Sequence, residues 1–250
     1  MTTGDPMTPR DPVVVRALAK LTLSLRVTGV RDDGYHLIDA EMVTLDLVDD
    51  VAFSDGDGLY VDVVGGAAPV PTDDSNLVRR ALRLAGATAL VRLTKRIPAG
   101  GGLGGGSADA AAVLRWAGMT DLDRASTLGA DVAFCLIGGR ARVTGVGEIV
   151  DPLPFEDRTF TLIMPPFGVS TPAVYRAWDD LGGPTSDGPN DLEAAALAVE
   201  PRLADWRDRL GDATGTAPTL AGSGSTWFVD GSHPLPGLLV VRTETHKPVE

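Results

Sequence analysis

Residues 98–114 read Pro-Ala-Gly-Gly-Gly-Leu-Gly-Gly-Gly-Ser-Ala-Asp-Ala-Ala-Ala-Val-Leu, with six glycines from Gly100 to Gly106. Glycine loses more backbone freedom on ordering than any other residue and has no side chain to bury, so packing does not explain the run. The run turns at once into Ser107-Ala-Asp-Ala-Ala-Ala, strong helix-forming material. A glycine loop that feeds a helix start leaves several backbone N–H groups without intrahelical partners, and the helix dipole adds partial positive charge there. That junction is a cradle for phosphate. No Gly-Lys-Ser/Thr follows, so it is not a Walker loop. Gly100, Gly102 and Gly105 fit the dinucleotide spacing, but the preceding strand (Thr88 to Lys95) lies in mid-chain and Pro98 separates it from the loop, a poor context for that pattern. The competing reading is a flexible linker, although linkers rarely run straight into an alanine helix.

A chain of 250 residues supports one large domain or two modest ones, and its 44% hydrophobic content is that of a globular protein. A net charge of −12 argues against nucleic acid or an anionic membrane surface as the main partner, without excluding a local basic pocket. The single cysteine, Cys135, rules out an intramolecular disulfide and fits a reducing, cytoplasmic compartment. Set in Val132-Ala-Phe-Cys-Leu-Ile, it reads as a core residue rather than a nucleophile. No apolar run of about 18 residues is present, so no membrane span is expected. Residues 1–12 are polar and Pro-rich without an apolar h-region, and read as a disordered leader rather than a signal peptide. Arginine outnumbers lysine 19 to three; Lys20 and Lys95 fall beside the segments that look chemical, and Lys247 sits in the tail.

The first half is strand-rich. Val13 to Ala19, Leu21 to Val27, Leu37 to Val48, Val51 to Phe53 and Leu59 to Val64 alternate as strands do, with Asp32-Asp33-Gly34 a turn signal. Ser75 to Leu84 reads as a helix with Ser75 as N-cap. Ala89 to Lys95 is a strand, Asp121 to Leu128 a short helix, and Gly138 to Val150 a hairpin turning near Gly145 and Gly147. A boundary near residue 155 is expected, giving units 13–155 and 156–250. The second begins with the strand Thr159 to Met164. It continues with helices Thr171 to Asp180 and Asp191 to Leu210, strands Thr219-Leu220 and Thr226 to Val229, and a last strand Gly237 to Thr243. There is no internal repeat, and the class is α+β in two layers.

Four further stretches carry chemistry. Lys20, amid apolar residues, must find a partner or neutralise; it is either a snorkelling lysine at a strand edge or a fixed cation aimed at a phosphate or a catalytic carboxylate. Asp131, in Leu128-Gly-Ala-Asp-Val-Ala-Phe, is either a helix cap or a base held near a lysine and poised to take a hydroxyl proton. Tyr35 and His36 adjoin at a turn. Neighbouring strand residues point to opposite faces, so they form a structural pair unless irregular backbone lets both face a nucleobase. Gly222-Ser223-Gly224 is a hairpin bend or a second set of backbone donors facing the first loop. With three histidines, none at metal-ligand spacing, a His-based zinc site is not expected.

In their order and spacing these stretches resemble the GHMP small-molecule kinases. The matching pieces are Ala19-Lys20-Leu21, Gly29 to His36, Asn76-Leu77-Val78, Pro98 to Ala112, Leu128 to Val132, Gly145-Val-Gly147-Glu148, Gly168 to Thr171, Asn190-Asp191-Leu192 and Gly222-Ser223-Gly224. Asp33-Gly-Tyr-His and Leu128-Gly-Ala-Asp-Val together point to the subgroup acting on a cytidine-diphosphate-linked methylerythritol in non-mevalonate isoprenoid synthesis. The resemblance implies a two-domain α+β fold, with a strand-rich N-terminal ATP-binding domain and a shortened ferredoxin-like C-terminal domain. It also implies transfer of the ATP γ-phosphoryl to a tertiary hydroxyl of that small-molecule substrate. Asp131 would be the base and Lys20 its partner. Pro98, Gly100, Gly101, Gly102, Leu103, Gly104, Gly105, Gly106 and Ser107 would hold the ATP phosphates, with Asn76 and Lys95 near the adenosine. Tyr35, His36 and Tyr175 would frame the cytosine, and Thr171 would line that side. Mg²⁺ would bridge the phosphates, with no carboxylate ligand evident.

This chain departs from the family pattern in places. Thr22 stands where the family usually has an Asn expected to help hold the substrate. Ala108 replaces a Ser, and Ala221 stands where Ser or Thr is common. Between Phe228 and the last strand only Val-Asp-Gly-Ser-His-Pro-Leu-Pro remains where the family has a helix. An apolar face left exposed, or covered by a second copy in a homodimer, is therefore expected. The rival readings are a GHMP kinase for another small alcohol and a nucleotide-binding protein without catalysis. A dinucleotide oxidoreductase is disfavoured, because the βαβ alternation it needs is absent.

Overall fold

The structure is a computed structural model and describes residues 11–64 and 70–245. The expected leader, apart from Asp11 and Pro12, and Lys247 lie outside the described residues.

Two long strands open the chain, β1 (Val13–Val30) and β2 (His36–Ser54), paired antiparallel along their length. The sequence pattern suggested shorter pieces because the alternation slips. The register shifts between Leu18 and Lys20, between Thr22 and Ser24, and between Val27 and Gly29, and such bulges re-aim side chains without ending a strand. Two of the three shifts flank Lys20 and Thr22.

One edge of β2 is taken by β1. The other is shared by β4 (Leu90–Lys95) against residues 50–54 and β5 (Arg140–Gly145) against residues 38–43. Strand β3 (Gly58–Val63) lies parallel to β4, and β6 (Ile149–Leu153) completes the β5 hairpin.

Helices α1 (Leu77–Ala85), α2 (Gly105–Trp116), α3 (Leu122–Ser126) and α4 (Val132–Ile137) belong to the same half. The N-cap of α1 is Asn76, not Ser75. Asn76 Oδ1 accepts from Val78 N at 2.8 Å, while the Ser75 hydroxyl is drawn back onto Asp73. Helix α2 buries Ala108 and Ala110 to Leu114, and this small-residue face packs closely against α1, α4 and β1.

The second sheet has order β10-β7-β9-β8, formed by β7 (Thr159–Ile163), β8 (Thr219–Leu220), β9 (Trp227–Asp230) and β10 (Leu239–Arg242). Between β7 and β8 come α5 (Thr171–Asp180), α6 (Glu193–Val199) and α7 (Leu203–Thr214). The single helix expected from Asp191 to Leu210 is two. Pro201 removes an N–H and pushes the preceding residue out of the helical region, and Glu200 is non-helical, with φ −137° and ψ 84°.

No helix joins β9 to β10, yet the expected exposed apolar face is not found among the described residues. Phe160, Leu162, Trp227, Phe228 and Val229 are all buried. The connecting loop folds back, His233 N donating to Thr161 Oγ1 at 2.9 Å. The Arg158 guanidinium lies 4.9 Å from the centre of the Phe160 ring.

The two sheets are clasped through β1. Leu25 bridges to Asn190, and Leu25 N donates to Pro189 O at 2.9 Å. Buried Asp191 accepts from Arg26 Nη1 at 2.7 Å, Val27 N at 2.9 Å and Ser186 N at 2.9 Å. Removing that carboxylate leaves the Val27 and Ser186 N–H groups unmatched and takes the counter-charge from Arg26, which keeps Ser186 O at 2.8 Å. Asp191→Ala should therefore lower stability by about 2–4 kcal/mol, read as a lower urea midpoint at unchanged slope.

Candidate active site

The glycine loop joins β4 to α2 and is stitched on both sides. Leu103 O accepts from Lys20 N at 3.0 Å, and Gly101 O accepts from Thr226 N at 3.1 Å. Two of its glycines are required by close approach. A Cβ added at Gly102, where φ is +79°, would lie 2.6 Å from Ala221 O and 2.7 Å from Gly224 O. One added at Gly104 would meet Lys20 Cγ at 2.7 Å. The Gly222-Ser223-Gly224 turn thus does face the loop, but it presents carbonyls rather than donors at this contact. Gly104 is the N-cap of α2 and makes no side-chain capping bond. The N–H groups of Gly105, Gly106 and Ser107, the first three of the helix, therefore have no intrahelical partner.

Lys20 is buried, and its Nζ lies 3.3 Å from Asp131 Oδ2 and 3.1 Å from Thr22 Oγ1. Asp131 stands at the start of α4, but its side chain makes no capping bond. Of the two sequence readings, the structure gives the carboxylate beside a lysine. The β5–β6 turn backs it: a Cβ at Gly147 would lie 2.7 Å from Ala130 O, and Glu148 accepts from Val146 N at 2.6 Å. The Asp131 side chain remains 29% exposed and opens onto a cavity of about 480 Å³ that also touches Lys20, Thr22 and Gly102.

The far side of the cavity is aromatic. The His36 and Tyr175 rings lie 4.7 Å apart, tilted by 34°, and His36 meets the edge of Trp178 at 5.6 Å. His36 Nε2 is 2.8 Å from Asp179 Oδ1. Burial, reinforced by the charge of Asp131, raises the Tyr175 phenol, which stays protonated. Tyr35, 63% exposed, lines the same cavity. The positive φ of Gly34, +84°, supplies the irregular backbone that two adjacent residues need to reach one space. Thr171 Oγ1 lies 2.7 Å from Ser223 Oγ, joining α5 to the second glycine turn at the cavity wall. Sequence reasoning missed Arg176 and Asp179, and read Ser223 only as part of a glycine turn. Arg176 and Asp179 share α5 with Tyr175, so the helical period could have flagged Asp179, at i+4, as lying on the same face.

Asn76 and Lys95 do not line this cavity. The Asn76 amide is used within the fold, capping α1 and donating to Pro71 O at 2.6 Å. The Lys95 ammonium is only 4% exposed, held by Asp109 at 2.7 Å and by Asp49. It lies beneath Gly105, where an added Cβ would meet Nζ at 3.1 Å. Lys95 was expected near the adenosine; its ammonium is held in an internal ion cluster, as a buried cation needs countercharge. Burial pushes the Cys135 thiol up to about 12, leaving it a neutral core group. Among the described residues no three His, Cys, Asp or Glu side chains gather to hold a metal, and no helix is long and apolar enough to cross a membrane.

Residues 76–139 match the family model described as the GHMP kinases N terminal domain. A 4-diphosphocytidyl-2-C-methyl-D-erythritol kinase of Paracoccus denitrificans is 42% identical over 232 residues, covering 85% of this chain and 84% of that protein. The enzyme of the same name from Ruegeria pomeroyi is 39% identical over 240 residues, covering 85% and 86%. A crystal structure of 4-(cytidine 5'-diphospho)-2C-methyl-D-erythritol kinase superposes with a TM-score of 0.74 at 31% identity, covering 92% of this chain and 99% of that one. Mevalonate kinase of L. major, at 10% identity and a TM-score of 0.63, shares the fold, over 97% of this chain and 99% of its own.

Gly102→Ala should cost about 3 kcal/mol, combining strain at positive φ with overpacking. Gly34→Ala, at the same sign of φ but with nothing within 4 Å of an added Cβ, should cost about 1 kcal/mol. Urea unfolding of the two variants measures the difference.

Proposed function

Since the chain belongs to the 4-diphosphocytidyl-2-C-methyl-D-erythritol kinases within the GHMP kinases and is a small-molecule kinase, we propose that it moves the γ-phosphoryl of ATP onto the C2 hydroxyl of 4-diphosphocytidyl-2-C-methyl-D-erythritol. One observation carries the assignment of roles. The Lys20–Asp131 pair, at 3.3 Å, stands between a glycine loop opening a helix and an aromatic-walled cavity.

On this reading the ATP phosphates lie along the loop, against the N–H groups of Gly105, Gly106 and Ser107 and the positive end of α2. Asp131 accepts the proton of the attacking hydroxyl. The hydroxyl oxygen bonds to the γ-phosphorus as the bond to the β-bridging oxygen breaks, and ADP leaves with that electron pair. Charge spreads over the three equatorial oxygens of the transferring group, where the Lys20 ammonium and the helix N-terminus meet it. Thr22 bears on Lys20 rather than acting as an amide ligand, since its hydroxyl accepts from Nζ.

Magnesium is part of the proposal. With no three-ligand cluster among the described residues, the chain suits an ion carried mainly by the phosphates and water, with at most one or two carboxylates; when bound it neutralises phosphate charge. Tyr35 offers an open ring face to the cytosine, and the tilted His36–Tyr175 pair forms another part of the wall. With Nε2 turned to Asp179, His36 keeps Nδ1 for a hydrogen bond to the base. A reducing, cytoplasmic setting belongs to the same reading, supported by the lone buried Cys135.

The test is incubation of the purified protein with ATP, Mg²⁺ and the cytidylyl alcohol, with ADP release and product mass followed together. A product heavier by one phosphoryl group is expected. No product despite ATP binding would overturn the acceptor assignment. Asp131→Asn should lower kcat by about 10²–10⁴-fold while ADP affinity stays within about twofold. Tyr35→Ala should raise KM for the alcohol, with KM for ATP little changed, as loss of one stacking face predicts.

A further inference from the structure

Asp109, Lys95 and Asp49 form a sealed cluster under the glycine loop, all three buried. Lys95, at the end of β4, reaches both carboxylates. The oxygens of Asp49 are fully used: one faces Lys95, and the other accepts from Ile97 N at 2.8 Å and from Arg96 N. Asp109 Oδ2 accepts from Lys95 at 2.7 Å, whereas Oδ1 has no partner among the described residues. Two carboxylates thus share one ammonium, and Asp109 Oδ1 is the one oxygen of the three side chains left open to a proton.

We propose that Asp109 is a positioning residue for the nucleotide, acting through Lys95 and α2, and that nucleotide binding at the glycine loop takes up a proton at this buried carboxyl. The inference rests on reading the loop as the ATP-phosphate site. Asp109 is one turn into α2 from Gly105, and the Lys95 ammonium lies directly beneath Gly105. An anion seated on the first N–H groups of α2 is therefore about one helical turn, roughly 5 Å of rise, from the cluster. With Asp109 ionised the cluster carries one unbalanced negative charge; protonated, it is neutral. A polyanion above it favours the neutral form, because like charges in a poorly screened interior repel.

Burial pushes the Asp109 carboxyl up to about 7, against the pull of Lys95 and helped by the charge of Asp49. The ammonium stays charged: burial opposes it, but Asp109 and Asp49 outweigh that and raise Lys95. The other packed elements add little at this point. Strand β1 brings the stem of Lys20 against Gly104, with its ammonium paired to Asp131 at the start of α4, and α4 also brings the neutral Cys135 thiol. Helix α1 turns Val78, Ala81 and Leu82 inward. Arg115, at the far end of α2, is bonded to Cys135 O and Arg16 O.

The linkage has a definite sign. Nucleotide raises the proton affinity of Asp109, so by reciprocity the proton tightens nucleotide binding. Below about pH 7 the proton is already present and little is taken up. Above it, affinity falls as pH rises, by at most about tenfold per unit for one proton.

The experiment is calorimetric titration of the full chain with ADP from about pH 7 to 9, where a phosphate with a second pKa near 6 is ionised, in buffers of different ionisation enthalpy. The expected result is proton uptake at about pH 8, with affinity falling some three- to tenfold per unit. Asp109→Asn should bind ADP with a flat pH profile and no excess proton uptake. Pure scaffolding by Asp109 would lower the thermal midpoint of the variant and leave the wild-type profile as flat as that of the variant. The same slope in Asp109→Asn, or no uptake by the wild type, overturns the inference.

Should the variant not fold, the wild type alone decides, by infrared difference spectroscopy on adding ADP near pH 8. A new protonated-carboxyl C=O band supports the proposal, and its absence contradicts it. Failure of ADP to bind at any pH would instead overturn the reading of the loop itself.

Discussion

Lys20 is the point on which the site is assembled. Its backbone N–H holds Leu103 of the glycine loop, its stem fills the space that a side chain at Gly104 would need, and its ammonium reaches Asp131 and Thr22. Lys20 and Thr22, two residues apart on one unshifted stretch of β1, share a face and a buried hydrogen bond. Because a buried ammonium must be matched by partners, this one residue ties the position of the loop to that of the carboxylate. The same strand carries Leu25 and the residues clasped by Asp191, and Asn190 passes the clasp on to Leu220 of the second sheet.

Close backbone approach does the rest. Gly102 lies against the carbonyls of Ala221 and Gly224, and Gly100 against Gly168, so the loop from the first half is seated on turns from the second. Below it lies a second buried ion cluster, Asp49–Lys95–Asp109, whose charges do not balance within themselves. The loop therefore has one lysine beside the cavity and another beneath the helix start. Both lysines are matched by carboxylates, so the free N–H groups and the dipole at the start of α2 supply the positive potential at the loop.

Local chemistry in the sequence accounts for what could be read there. Glycine runs, turn dipeptides and strand alternation act over a few residues, so the loop, the α2 helix, the β5–β6 hairpin and α5 were placed from pattern alone. The continuity of β1 and β2 was hidden, because bulges break the period of two that alternation relies on. The split of α6 from α7 is written in Pro201, against the helical period that runs across it. The fate of Asp131 could not be fixed by spacing, since a cap and a paired carboxylate look alike until the lysine 111 residues earlier is seen beside it. The partners of Lys95, Asp49 on β2 and Asp109 on α2, come together only through the fold and are not legible from local pattern. The thinned second sheet was expected to expose apolar surface, and the folded-back 231–238 loop covers it.

The central claim is that donor and acceptor meet directly across Lys20 and Asp131, in one in-line step with no phosphorylated protein intermediate. The stereochemistry at phosphorus tests it most directly, using ATP made chiral at the γ-phosphorus with three oxygen isotopes and analysing the configuration of the phosphorylated alcohol. A single direct transfer predicts inversion. Retention would require two successive displacements through a group on the protein, and would contradict the account.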